Sequence, residues 1–156
     1  MKQELIRGAG ILLSITSLPS KYGIGTLGKE AYEFVDILAE NNMVYWEILP
    51  INACNRLPYS PTSYYALEED YISLDKLKEM GLIETLEERP NCNKAIYDNF
   101  KEKYFREAFC KFEKNTEYRK FIKTPEIKEY AEYMSSIRSE NKEYFLFLQY
   151  ISYKQW

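Results

Sequence analysis

Residues 8–50 read as a strand, a helix and a second strand in direct succession. Gly8-Ala9-Gly10 leads into Ile11-Leu12-Leu13-Ser14-Ile15, a short apolar run closed by Leu18-Pro19-Ser20, which predicts a buried strand. A helix is predicted over Lys29–Glu40, because Ala31, Phe34, Val35 and Leu38 recur at i, i+3, i+4 and i+7 and so share one face. Asn41-Asn42 ends it, and the bulky apolar residues of 43–49 predict a second strand that Pro50 stops. Two strands joined through a helix return to the same end of their sheet, so the pair is parallel. The unit is the beginning of an α/β layer.

Each strand opens into a loop with its own chemistry. Residues 17–28 carry Pro19, Gly23, Gly25 and Gly28, a shaped connection with positions free to take φ > 0. Residues 51–73 hold no sustained period. They contain turn formers and tyrosines (Asn52, Asn55, Pro58, Tyr59, Pro61, Tyr64, Tyr65), as a long functional loop would.

Near Leu74 the composition turns helical, and Asp75 is expected to cap a short helix that Gly81 closes. Arg89-Pro90-Asn91 punctuates the chain before a helix over 94–114, whose stripe is Tyr97, Phe100, Tyr104 and Ala108. A short helical turn covers 116–122. Thr124-Pro125 supplies an N-cap and a first-turn proline for a helix with Ile127, Tyr130, Ala131, Met134 and Ile137 on its apolar side. A last helix starts near Asn141 and runs to Trp156 without glycine or proline; its apolar face, Tyr144, Phe147, Leu148 and Ile151, is expected to be left to water. The second strand is expected to keep an unpaired edge.

Charge and residue usage then exclude whole classes of function. Lysine and arginine number 21 against 24 acidic residues, and a net charge of −3 gives no field for phosphate backbones, so no nucleic-acid partner is expected. The apolar runs fall far short of the roughly 20 residues of a membrane span, and the first seven residues hold no apolar signal segment, so a cytoplasmic protein without a membrane partner is expected. With no histidine in the chain, Ser-His-Asp and Cys-His catalysis are impossible within it. Three widely spaced cysteines, Cys54, Cys92 and Cys110, suit neither a complete disulfide framework nor a zinc cluster and read as free thiols. No metal is expected. Tyrosines, 15 of the 156 residues, either fill cores or serve as flat platforms for sugars.

Three motifs in order carry a resemblance. The run from Arg7 through Gly8-Ala9-Gly10 and Thr16-Ser17-Leu18-Pro19 to Tyr22-Gly23-Ile24-Gly25 resembles the opening of the 4-alpha-glucanotransferase family (amylomaltases, or disproportionating enzymes). Leu27-Gly28-Lys29-Glu30-Ala31-Tyr32-Glu33-Phe34-Val35-Asp36 is similar to the family's first helix, and Tyr45-Trp46-Glu47-Ile48-Leu49-Pro50 to its Y-W-Q-x-L-P strand. Pro58-Tyr59-Ser60 resembles the S-P-Y segment, with Leu57 in place of the serine. Phe147-Leu148-Gln149 and Gln155-Trp156 resemble the F-L-Q and Q-W ends of a family helix.

The resemblance implies an α/β fold: the N-terminal part of a (β/α)8 TIM barrel, its first two strands, with a mostly helical inserted subdomain. Residues 1–74 would begin the catalytic barrel with its active-site loop, and 75–156 would be the inserted subdomain, truncated. It implies transfer of α-1,4-glucan segments between maltodextrins with retention, through a carboxylate nucleophile and an acid/base, without a cofactor. In the family the nucleophilic aspartate, the acid/base glutamate and a second aspartate lie on later strands, beyond the equivalent of Trp156. The chain is thus expected to be an N-terminal fragment, inactive alone, with the remainder of the barrel as its missing partner and no catalytic residue of its own.

For substrate binding the resemblance singles out Tyr59, at the donor subsite of the family, with Ser14 and Ser17 at the mouth of the first strand. Trp46 and Tyr22 read as packing residues. Glu47, where the family has glutamine, either faces a polar pocket or has a raised pKa. Glu68-Glu69-Asp70 reads as a solvated loop and Lys101-Glu102-Lys103 as a solvated helix face. The competing readings are a non-catalytic glucan-binding module on Tyr59, Tyr64 and Tyr65, and a helical interaction domain over 94–156.

Overall fold

The computed structural model describes residues 7–55, 57–88 and 94–156, with side chains from residue 99 onward in the last stretch. Strand β1 (Gly10–Leu12) pairs in parallel with β2 (Tyr45–Glu47), in the register Gly10 to Tyr45, Ile11 to Trp46 and Leu12 to Glu47. Both strands are shorter than the apolar runs that predict them. Past Leu13, whose N–H still donates to the Glu47 carbonyl at 3.0 Å, the chain winds into a 3₁₀ turn at Ile15–Ser17. Ile15 leaves the sheet there to pack with Leu27 and Tyr71 in a small cluster of its own.

Helix α1 (Lys29–Glu40) crosses between the strands as predicted. Its Phe34 meets Trp46 edge-on, ring centroids 4.9 Å apart, and the Trp46 Nε1–H donates to the Leu13 carbonyl at 2.8 Å, so Trp46 is a packing residue. Of the loop glycines only Gly23 takes a positive φ, 109°. Gly25 is required by proximity: a Cβ there would lie 2.1 Å from the Ile15 carbonyl oxygen.

The helical part comprises α2 (Leu74–Glu79), α3 (Lys94–Lys111), α4 (Thr116–Phe121), α5 (Pro125–Arg138) and α6 (Lys142–Gln155). The cap of α2 is Ser73, whose hydroxyl accepts from the Lys76 N–H, and not Asp75. Asp75 instead accepts from the Tyr22 hydroxyl at 2.6 Å, tying the first loop to this helix; the Tyr22 ring stacks on Phe100. Asn115 and Asn141 cap α4 and α6 through their side chains. Arg89-Pro90-Asn91 and Cys92 lie outside the described residues, as does the side chain of Tyr97; Cys54 and Cys110 are in no disulfide.

The expectation for α6 is overturned. Tyr144, Phe147, Leu148 and Ile151 are buried, and so is every residue from 144 to 152. The helix is enclosed on all sides because α5 packs along it, Phe109, Phe112 and Phe121 from α3, its C-terminal extension and α4 meet its rings, and the return of the 51–73 loop covers what remains. One core therefore joins Ala53, Ala66, Ile72 and Leu74 to the helices.

Candidate functional site

Because β1 and β2 are parallel, the loops that follow them leave from one end of the sheet. They are tied to each other there: the Leu27 N–H donates to the Tyr71 carbonyl at 2.9 Å, above the Ile15, Leu27 and Tyr71 cluster. Ser14 and Ser17 belong to the first loop. Ser14 shares a 2.8 Å hydrogen bond with the Thr16 hydroxyl and is half-buried; Ser17 is exposed, its N–H closing the 3₁₀ turn onto the Ser14 carbonyl. Burial pushes the Tyr71 hydroxyl pKa up, and a hydrogen bond with Ser14 opposes that.

The second loop is a built structure. Its stem pairs antiparallel at Asn52 and Leu67, with the Ala53 N–H on the Ala66 carbonyl (2.8 Å) and the Glu68 N–H on the Ile51 carbonyl (2.9 Å). Ser63 Oγ accepts from the Tyr65 and Ala66 N–H groups, and Asn52 Nδ2 donates to the Tyr64 carbonyl, which closes the middle. At the tip, turns from Leu57 N–H to the Cys54 carbonyl and from Ser60 N–H to the Leu57 carbonyl bracket Tyr59. Its ring is 80% exposed, and Tyr64 is as open. Tyrosine faces held in water by a rigid stem are what a carbohydrate ring packs against. Leu57 is exposed too, so the hydroxyl that the family pattern has here is absent from the surface of the tip.

Under the loop lies a cavity of about 230 Å³ between the stem and the helices, lined among others by Cys54, Glu68, Glu69, Lys101, Tyr130 and Arg138. The solvated reading of Glu68-Glu69-Asp70 fails here. Glu68 accepts from the Cys54 N–H at 2.9 Å, and the Glu69 side chain is 15% exposed. Arg138 donates to Glu69 Oε1 at 2.9 Å, while Oε2 is buried without a partner. Desolvation pushes the Glu69 pKa from 4.5 to about 7, against the opposing pull of Arg138.

Lys101 also departs from its solvated reading. It is 2% exposed, and its ammonium donates to the Asp70 and Ile72 carbonyls at 2.7 and 2.9 Å. Glu47 is exposed on β2. Gln149 and Gln155, which the sequence marks only as the ends of a family-like helix motif, are bonded to the loop backbone; the available signal for that role was two uncharged amides at positions that the helix buries. Among the described residues no group of three or more histidine, cysteine or acidic residues is arranged to hold a metal ion, and no helix is long and apolar enough to cross a membrane.

The sequence pattern of a family described as 4-alpha-glucanotransferase matches residues 13–156. This chain belongs to the 4-alpha-glucanotransferase family. A relative in the family, the 4-alpha-glucanotransferase of Aquifex aeolicus, is 38% identical over 157 aligned residues, which cover 90% of this chain and 31% of the relative. That of Synechocystis is 38% identical over 71% of this chain and 24% of its own length. Among solved structures, amylomaltase from Streptococcus agalactiae in complex with acarbose superposes with a TM-score of 0.80 at 28% identity, covering 97% of this chain and 40% of that one. The matched residues thus span between 24% and 40% of the length of these family members.

Proposed function

We propose that this chain forms the N-terminal part of a 4-alpha-glucanotransferase that moves α-1,4-glucan segments between maltodextrins with retention of configuration. The observation that carries the reading is the Tyr59 loop: an exposed aromatic tip on a hydrogen-bonded stem, at the C-terminal end of two parallel strands, in a chain of this family. In a (β/α)8 barrel that end is where active-site loops gather. On this reading residues 1–74 begin the barrel and 75–156 form a helical subdomain inserted after the second strand. Tyr59 packs on a donor sugar, with Ser14 and Ser17 at the edge of the same site. The chemistry needs a nucleophilic carboxylate and an acid/base about 5–5.5 Å apart, and no cofactor. Those groups belong to later strands of the barrel. The place of work would be the cytoplasm.

The decisive experiment has two arms. The 156-residue chain is titrated with acarbose by calorimetry and incubated with maltotriose while glucose and longer maltodextrins are followed. Saturable binding without products is expected. Product formation would overturn the assignment of chemistry to later strands, and absence of binding would remove the Tyr59 loop as a self-sufficient subsite. In an enzyme carrying the whole barrel, Tyr59→Ala should slow maltotriose disproportionation by about one to two decades, the cost of a lost sugar contact of roughly 1–3 kcal/mol.

A further inference from the structure

The return segment of the Tyr59 loop is held by two glutamines whose equivalence is visible only in three dimensions. Gln149 Oε1 accepts from the Leu67 N–H at 2.8 Å, and its Nε2 donates to the Leu67 carbonyl at 2.8 Å. Gln155 repeats the pattern on Ser73, with 2.6 Å from the Ser73 N–H to Oε1 and 3.2 Å from Nε2 to the Ser73 carbonyl. Each side-chain amide thus faces one residue's backbone as a neighbouring strand would, donor to acceptor and acceptor to donor. Both glutamines, Leu67 and Ser73 are buried.

Only glutamine satisfies this site. Leucine offers no polar atom and methionine no donor, ionised glutamate has no donor for the carbonyl, and asparagine is a methylene short. The two pairs have the same sequence separation, 82 residues, so 67–73 follows 149–155 in the same chain direction and meets it at both ends. Six residues advance a helix by about 9 Å and leave their side chains about 120° apart, so the segment wraps α6 instead of lying along one face. The 3₁₀ turn at Glu69–Tyr71 shortens the extended chain to that span. Tyr153, between the glutamines, donates its hydroxyl to the Tyr65 carbonyl, and Lys101 takes the Asp70 and Ile72 carbonyls from the other side. Every one of these anchors grips backbone.

We propose that Gln149 and Gln155 are positioning residues for the substrate loop: α6 fixes the return segment through them, and the antiparallel stem at Asn52 and Leu67 carries that fix to the turns around Tyr59. This rests on the glucan-binding reading of the loop. It assigns the helical part a task in the site, as the template on which the loop is laid.

Site-resolved amide hydrogen exchange on the 156-residue chain tests it. In the parent, the Leu67 and Ser73 amides should exchange as slowly as the centre of α6; exchange at the rate of the loop tip would overturn the proposal before any variant is made. In Gln149→Met the Leu67 amide and the stem amides Ala53 and Glu68 should exchange at least 10-fold faster, with α3 and α5 within about 3-fold of the parent. Gln155→Met should do the same at Ser73. Acarbose affinity should fall about 3- to 10-fold in both. Ile151→Val, fully buried on α6 without a bond to the loop, is the control. If it loosens the stem as much as Gln149→Met, or if both glutamine variants leave the stem at parental rates, the glutamines are ordinary core residues and the proposal falls. A parent that fails to bind acarbose counts against the glucan reading alone, because the exchange arm still decides whether the clamp exists.

Discussion

The helical part and the strand-helix-strand part are both rich in apolar residues, yet they meet different fates. On α6 nine successive residues, 144–152, are buried. On β1 all three residues are exposed, Leu12 at 62%, and Val35, Ile37, Val44 and Tyr45 around them are open as well. Parallel strands ordinarily have both faces covered. The helices find their cover within these 156 residues, whereas the sheet does not find it among the described ones. Apolar periodicity reports that a face seeks cover and is silent about where the cover comes from. The barrel reading supplies it: further strands and helices would pack on β1, β2 and α1.

The sharpest way to break this comparison is to cut one large side chain from each part. Phe147→Ala removes a fully buried ring that contacts Phe109 and Phe112 and should cost about 3–5 kcal/mol in urea unfolding. Leu12→Ala should change stability by less than about 0.5 kcal/mol, as a surface substitution does. Equal losses would mean that the sheet is covered in solution, by a second copy for instance, and a concentration-dependent midpoint would reveal that.

The seam between the parts should answer to pH. Glu69 has a folded pKa of about 7 against an ordinary 4.5, so the folded state resists its ionisation. With the folded value the higher one, its contribution is fully present below about pH 4.5 and is lost as pH rises through 7. A gap of that size corresponds to roughly 3 kcal/mol as an order of magnitude. The parent should lose stability between about pH 5 and 8, and Glu69→Gln should flatten that decline. The same slope in the variant would place the titration elsewhere.

How much of this was readable beforehand follows the range of the interactions. The bounds of α1, the Thr124-Pro125 start of α5 and the start of α6 near Asn141 depend on neighbours within one turn, and local pattern found them. Tyr22 and Trp46 were read as packing residues from their place beside a loop and on a strand, and they pack. Tyr59, singled out by motif, stands exposed at the loop tip. What failed was everything set by partners far along the chain. Lys101 looked like a solvated lysine because nothing nearby shows that it meets carbonyls some 30 residues earlier. Glu69 looked like one carboxylate in an acidic loop because Arg138, at a separation of 69, is invisible to a local window. The burial of α6 failed likewise: its cover includes a loop segment 82 residues away.

A smaller effect sharpens the view of the helical core. The Tyr118 hydroxyl is buried without a hydrogen-bond partner, and burial raises its pKa. Tyr118→Phe removes the orphaned group while keeping the ring against Phe112 and Tyr150, and should raise stability by about 1 kcal/mol. A loss instead would mean that the hydroxyl has a partner in solution, such as a buried water.

The smallest expected effect on stability belongs to Tyr59, and its smallness is what makes the residue informative. The ring is bracketed by backbone turns that do not use its side chain, and it stands open to water, so Tyr59→Ala leaves the folded state nearly all of its contacts. The unfolding free energy should stay within about 0.5 kcal/mol of the parent. Solvation of an exposed aromatic face gives folding nothing in return, which leaves ligand binding as the term in which the ring can count. The same variant should therefore weaken acarbose binding by about 5-fold or more while calorimetric unfolding of the free chain stays put. A drop in stability with unchanged binding would reverse the assignment: Tyr59 would then be a packing residue against the helices, and the exposed aromatic for sugar would have to be sought at Tyr64, whose carbonyl Asn52 holds from the stem.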